Sequence, residues 1–432
     1  MRGKHHDAAR RVADGIADQL SDARNLGLEI DRGPSVTGLD QNYAFSSLAS
    51  GFPGISVLFS DRVKSGAEGA GVVHDYLSRS VNLLRQEPRP GIGLYSQITG
   101  LAFAAALAQQ AGGSYRTALS NLDAHLALHV RALCERAVRD APGAMDAYDV
   151  IDGLTGIGRY LLLRGGPEHP DLENVVRTLI TLAGPSAAGP ADVPGLWATS
   201  PPNQRPEFVG TEIMATGHLN LGLGHGVAGP LALLSLCLQQ GTALPGQSEA
   251  IETLASLYEK FALEDTYGLY WPNTVSLSEW TKGRCDVARA RTAWCYGSPG
   301  IPRALQLAGS AMGRTDWSRM AEASVSAVVD MPLGAMQAEH PSLCHGWAGI
   351  MHVLSFFTEG SEGSRVRTKV DTLAEAIIDY YGAGDTEFSV TFGDDGHEPA
   401  GFLEGAAGIA LALYAYAAGE PAVPWDAALL IR

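Results

Sequence analysis

Gly405-Ala-Ala-Gly408-Ile-Ala-Leu-Ala-Leu-Tyr-Ala-Tyr416 sets two glycines three residues apart, immediately before a run with no charge and no polar stripe. A helix this apolar on every side is buried all round. The phrase recurs as Gly51-Phe-Pro-Gly54, Gln97-Ile-Thr-Gly100, Gly153-Leu-Thr-Gly156, Gly226-Val-Ala-Gly229, Gly297-Ser-Pro-Gly300 and Gly346-Trp-Ala-Gly349, and only Gln97 breaks the first-glycine rule. The last glycines of the seven copies are 46, 56, 73, 71, 49 and 59 residues apart, a mean of 59. That spacing is too long for one helix and suits a helix pair with its loops. Between the copies lie segments such as His74 to Arg85, Asp171 to Leu182 and Ser248 to Leu263, whose apolar residues recur at three and four. The expected fold is all-α, a single α/α toroid over residues 1–432 with seven buried inner helices and seven amphipathic outer ones. An open solenoid would need polar caps, and the last copy is as apolar as the rest.

The phrases also account for the composition. The chain has 51 glycines in 432 residues, against roughly 30 at ordinary usage, and thirteen of them belong to the phrases. Each glycine is expected to serve a tight turn, with positive φ and close backbone approach, and the seven turns are expected to line one face. Two stretches break the helical pattern. Residues 185–206 are rich in Pro, Gly, Ser and Ala, and residues 264–290 contain Tyr267-Gly-Leu-Tyr-Trp-Pro-Asn-Thr-Val-Ser-Leu-Ser-Glu-Trp280, which alternates like a strand or hairpin. Both are expected as loop or strand decorations over the open face of the ring, clasping a substrate. A net charge of -16 argues against a nucleic-acid partner and suits a cationic one. No secretory signal precedes the first helix and no stretch makes a credible membrane span, so a cytoplasmic protein is expected.

Five cysteines without short spacing do not make a disulfide framework. Against the phrases, however, Cys295 lies two before Gly297, Cys344 two before Gly346, His345 one before Gly346 and His225 one before Gly226. Three successive turns thus aim Cys or His at one place. Two thiolates and one imidazole suit zinc, and three protein ligands leave a fourth position open, as in a catalytic site. Asp149, four before Gly153, either caps its turn or aims at the same mouth. Arg291 and Tyr296 flank Cys295 as candidate donors, while Arg289 competes with Arg291 for a structural ion pair. Cys134, Cys237 and Cys285 read as small core hydrophobes, and His218 and His352, at no equivalent turn position, as core histidines. Glu404, before Gly405, has no evident partner.

Leu223-Gly-His225-Gly-Val-Ala-Gly229, Trp294-Cys295-Tyr296-Gly297 and Cys344-His345-Gly346 resemble, in order, three signature segments of the lanthipeptide (lantibiotic) cyclases, the nisin-cyclase family, and Tyr148-Asp149-Val-Ile-Asp152-Gly153 resembles a fourth. The resemblance runs from about Gly51 to the last residue. It implies a double ring of seven inner and seven outer helices, zinc ligands at Cys295, Cys344 and His345, a general acid/base at His225, a carboxylate at Asp149 and supporting roles for Arg291 and Tyr296. Gly224 stands where an alanine is common, and Arg291-Thr-Ala precedes Trp294 where an asparagine is often found. Neither departure removes a functional group.

The implied reaction is addition of a peptide cysteine thiol to a dehydroalanine or dehydrobutyrine of the same precursor peptide, which a separate dehydratase would have prepared. Zinc would favour the thiolate, His225 would protonate the enolate carbon, and either His225 or Asp149 would accept the thiol proton on entry. No nicotinamide, flavin or nucleotide is required. Three alternatives compete with this reading: a glutathione-type conjugase with the same site, a glycosidase, which needs two acting carboxylates that the turns do not offer, and a non-catalytic peptide-binding scaffold.

Overall fold

The computed structural model describes residues 2–26, 41–190, 192–201, 210–382 and 399–432. These form two compact units, residues 1–124 with 338–426 and residues 125–337 with 427–432. Every one of the seven phrases opens a helix. In the first unit these are Phe52–Lys64, Ile98–Gln110, Trp347–Leu354 and Ala406–Ala418. In the second they are Leu154–Gly165, Ala228–Gln239 and Gly300–Met312.

The contrast between apolar and amphipathic segments becomes a contrast in burial. Ala228–Gln239 is buried at every position from Ala228 to Cys237. Pro170–Ala183, by comparison, buries Leu172, Val175, Val176, Leu179 and Leu182 and leaves Arg177 paired with Glu173 on its outer side. Side chains three and four apart share a helix face, so only one stripe of Pro170–Ala183 turns inward. In the first unit Phe52–Lys64 pairs with Ala70–Leu84 and Trp347–Leu354 with Gly363–Gly382; in the second Gly300–Met312 pairs with Thr315–Asp330.

The seventh phrase differs in where the partner of its helix, Ala406–Ala418, lies in the chain. Its partner is Arg2–Leu20, from the other end of the chain, which packs along it with Ala9, Ala13, Ile16, Ala17 and Leu20 buried. Tyr414 and Arg62 both reach Asp14 of this first helix.

The structure corrects the expected reason for the glycines. Among the described phrase glycines only Gly297 has positive φ, at 69°. Gly51, Gly153, Gly346 and Gly405 lie between -95° and -122°, where any residue is at ease. What excludes a side chain is the backbone. A Cβ on Gly408 would come within 1.8 Å of the Phe402 carbonyl oxygen, on Gly349 within 1.8 Å of Leu343 O, on Gly300 within 2.0 Å of Trp294 O and on Gly54 within 2.5 Å of Leu48 O. The offset is six residues each time, and Gly100 with Leu94 and Gly229 with Leu223 repeat it more loosely. The helix therefore begins flush against the loop that feeds it.

The stretch read as a strand or hairpin contains short strands in two separate pairings. Leu269–Tyr270 pairs back onto Leu263–Glu264, whereas Thr274–Ser276 pairs antiparallel with His218–Asn220, His218 opposite Ser276. The chain then turns helical over Leu277–Lys282, started by a capping box between Ser276 and Glu279. Of the other stretch, residues 191 and 202–206 lie outside the described residues. Its described part buries Val193, Leu196, Trp197 and Ala198, and the Trp197 indole donates to Thr216 O at 2.9 Å. No helix among the described residues is long and apolar enough to cross a membrane.

Gly408→Ala is expected to cost at least about 2 kcal/mol of unfolding free energy, because backbone rather than a movable side chain blocks the new methyl. Gly71→Ala, with open space around its Cβ position in a helix, should be neutral or stabilising by up to about 1 kcal/mol. Urea unfolding of both variants checks this, and equal stabilities would refute the contact argument.

Candidate functional site

In the second unit, the strand His218–Asn220 feeds the loop that carries His225. That loop is stitched to its neighbours by main-chain bonds: Gly224 N–H donates to Cys295 O at 3.1 Å, and Val150 N–H donates to Gly224 O at 3.0 Å. Three turns, those of Asp149, His225 and Cys295, are thereby fixed in mutual register. Position 224 is tight, since a Cβ there would lie 3.3 Å from the Cys295 Cβ.

Asp149 fills both of the roles open to it. Its Oδ1 accepts the N–H groups of Asp152 and Gly153, each at 2.8 Å, which caps the turn. Its Oδ2 lies 2.6 Å from His225 Nδ1. The carboxylate is 1% exposed, and a buried carboxylate needs such partners to stay ionised. On His225, burial pushes the pKa down, but the hydrogen bond and charge of Asp149, with smaller contributions from Cys295 and Asp152, outweigh it and hold the imidazole above the ordinary histidine range. With Nδ1 committed to Asp149, Nε2 is the nitrogen left for chemistry, on a side chain that is 27% exposed.

Cys295 is buried on a turn held by Ala293 N–H to Ser298 O and by the Trp294 indole to Leu429 O at 2.8 Å. Tyr296 lies beside His225, ring centroids 6.4 Å apart, and its hydroxyl meets Asn220 Nδ2 at 2.9 Å. Arg291 is half-buried and makes no hydrogen bond or ion pair with the described residues. Arg289 takes the structural pair instead, gripping Asp265 at 2.7 and 2.9 Å; its hydrogen bonds pull that carboxyl down to about 2.

In the first unit, Cys344 is half-buried, with its N–H on Leu403 O at 2.9 Å. His345 Nδ1 lies 3.3 Å from Glu404 Oε1, which supplies the partner that sequence reasoning did not find for Glu404. A carboxylate on one ring nitrogen fixes a histidine's tautomer and orientation and leaves the other nitrogen as a ligand. The signal was present in the register, since Glu404 precedes Gly405 as His345 precedes Gly346. Asn220 was missed as well. It is fully buried and six before Gly226, a position that no charged or metal-binding residue marks.

The remaining candidates behave as core. Burial pushes the thiols of Cys237 and Cys285 up to about 12 and that of Cys134 upward, so all three stay protonated. His352 is buried between Asp426, at 3.1 Å, and the Trp425 ring. His218 is fully buried, and neither of its ring nitrogens has a hydrogen-bond partner among the described residues.

The described residues are mostly helical, and their glycine turns carry an Asp–His pair bonded to a cysteine-bearing loop. Residues 45–430 match the family model of the lanthionine synthetase C-like proteins, and the chain belongs to that family. It is 25% identical, over 397 residues, to the nisin biosynthesis protein NisC of Lactococcus lactis subsp. lactis, a match that covers 90% of each chain. It also superposes on the solved nisin cyclase with a TM-score of 0.74 and 24% identity, covering 90% of this chain and 93% of that one. The fold is thus the helical toroid expected from the repeats.

His218 makes the site's supporting strand sensitive to acid. Burial holds its pKa at about 4, against 6.5 when free, so below pH 6.5 the unfolded chain takes up a proton that the folded chain refuses. Stability should fall from pH 6.5 toward 4, by roughly 2 kcal/mol at pH 5 from this group. Urea titrations at pH 7 and 5 should show a smaller loss for His218→Asn than for the unaltered protein; equal losses would mean that His218 is protonated in the folded state.

Proposed function

We propose that the protein is a zinc-dependent lanthipeptide cyclase that closes lanthionine and methyllanthionine rings by adding peptide cysteine thiols to dehydroalanine or dehydrobutyrine. The observation that carries this reading is the 2.6 Å Asp149–His225 pair on a loop bonded to the Cys295 turn. Metal chemistry is supported by the donor set. Cys295 in the second unit and Cys344 and His345 in the first each offer one ligand atom. Two thiolates and an imidazole are a zinc set with a fourth position left for substrate. When bound, zinc would supply the Lewis acidity that keeps an entering thiol as thiolate at neutral pH.

The chain's own residues supply the rest. Glu404 holds His345 by one nitrogen. As sulfur bonds to Cβ, the Cα=Cβ π pair moves toward the carbonyl, where charge develops on oxygen. Tyr296 and the uncommitted Arg291 donate to that oxygen. His225, kept protonated by Asp149, delivers the proton from Nε2 to Cα. Net, the thiol proton ends on carbon, and nothing is oxidised or reduced. Because both reactants belong to one peptide, effective concentration aids closure. Residues 185–206 and 264–290 would clasp the peptide within a single catalytic domain. A separate dehydratase, acting in the same cytoplasmic compartment, must make the dehydroamino acids first.

The test counts free thiols by alkylation mass on a dehydrated precursor, because closure itself changes no mass. The purified protein should carry about one zinc per chain and consume thiols without added glutathione; consumption only with glutathione would indicate an external-thiol conjugase instead. Cys295→Ala and Cys344→Ala should lose zinc and thiol consumption together. His225→Asn should keep zinc and lose about 100-fold or more in turnover. A protein that purifies without zinc and leaves every thiol free would be a binding scaffold.

A further inference from the structure

The helix Arg116–Arg139 carries two histidines four residues apart, His125 and His129. Of the chain's 12 histidines, no other two stand three or four apart. That spacing puts both on one face, one turn above the other. Their rings lie side by side, with centroids 4.8 Å apart and planes at 52°.

The face is open and carries no competing charge. His125 is exposed and His129 half-buried, and Leu128 beside them is 77% exposed. Every other position three or four removed from either histidine along the helix is asparagine, alanine or leucine. Arg131, two residues on from His129, is paired with Glu135 at 3.1 Å.

Neutral imidazole is a ligand for the late first-row divalent cations. A cation about 2.0–2.1 Å from each nitrogen sets the two nitrogens about 3 Å apart, a separation that these rings reach by rotation about their side-chain bonds. Among the described residues, no third His, Cys, Asp or Glu completes a three-ligand set with them. Two protein ligands leave the remaining positions to water.

We propose that His125 and His129 form a surface metal site, a bidentate imidazole chelate for a late first-row divalent cation, with Cu2+ held most tightly and Ni2+ and Zn2+ less so. It shares no residue with the Cys295, Cys344 and His345 set and stands or falls independently of the cyclase reading. Two imidazoles hold metal more weakly than a set containing two thiolates, so this site releases zinc on desalting and leaves the zinc count per chain unchanged.

The test titrates Ni2+ into zinc-loaded, desalted protein and follows the heat of binding and the melting temperature. The unaltered protein should bind Ni2+ and melt higher in its presence. His125→Ala and His129→Ala should each weaken binding about 100-fold or more, because the second ligand of a chelate binds intramolecularly. Alanine favours the helix, so both variants fold, and neither should gain melting temperature from Ni2+. Spacing supplies the geometric control. In the His129→Ala background, Leu128→His returns an imidazole three residues from His125 and should recover part of the binding, whereas Ala127→His, on another face, should recover none. No Ni2+ uptake by the unaltered protein, undiminished affinity in the single variants, or recovery as strong with Ala127→His as with Leu128→His would each overturn the inference.

Discussion

A carbonyl oxygen lying against a glycine six residues further along the chain recurs through both units, and the placement of the chemistry depends on it. Phe402 with Gly408, Leu343 with Gly349 and Trp294 with Gly300 leave no space for a Cβ. The same loops are closed by main-chain bonds of constant span: Val227 to Asn220, Trp347 to His340, Ala406 to Pro399 and Ile98 to Gly91. A loop that satisfies its own backbone and abuts its helix has one conformation. Side chains one or two residues before the first glycine are then delivered in the same register each time. His225, His345 and Glu404 occupy the first of these positions, Cys295 and Cys344 the second.

At the His225 turn, charge is used economically. Asp149 spends one oxygen on its own turn and the other on His225, so one buried carboxylate both shapes the backbone and raises the pKa of the imidazole. Opposite effects act elsewhere in the same unit. Cys237 and His218 lie deep, and burial, which outweighs the nearby Arg159 charge at Cys237, keeps each in its neutral form. Residue type alone therefore does not mark function here; what differs between His225 and His218 is a carboxylate at 2.6 Å.

Much of this was legible in the chain. The seven helix starts and the two kinds of helix follow from local spacing, and the same spacing puts His225, Cys295, Cys344 and His345 just before the glycine turns; roles for Asp149, Arg291 and Tyr296 came from the family resemblance. The glycines pointed to tight turns, although the cause is backbone contact rather than left-handed φ at every site but Gly297. The stretch Tyr267–Trp280, read as a strand or hairpin, takes part in two pairings, because Thr274–Ser276 finds its partner 54 to 58 residues earlier, at His218–Asn220.

The sequence by itself determined whatever depends on neighbours along the chain: helical periodicity, the six-residue reach from carbonyl to glycine, and the register of Cys and His before each turn. Only the tertiary structure decided which distant groups meet. It gave Glu404 to His345, Asn220 to Tyr296 and the first helix to the last. A hydrogen bond between residues 76 apart, or a helix pair joined from opposite ends of the chain, leaves no periodic trace, because its geometry is set by the packing of everything folded between them.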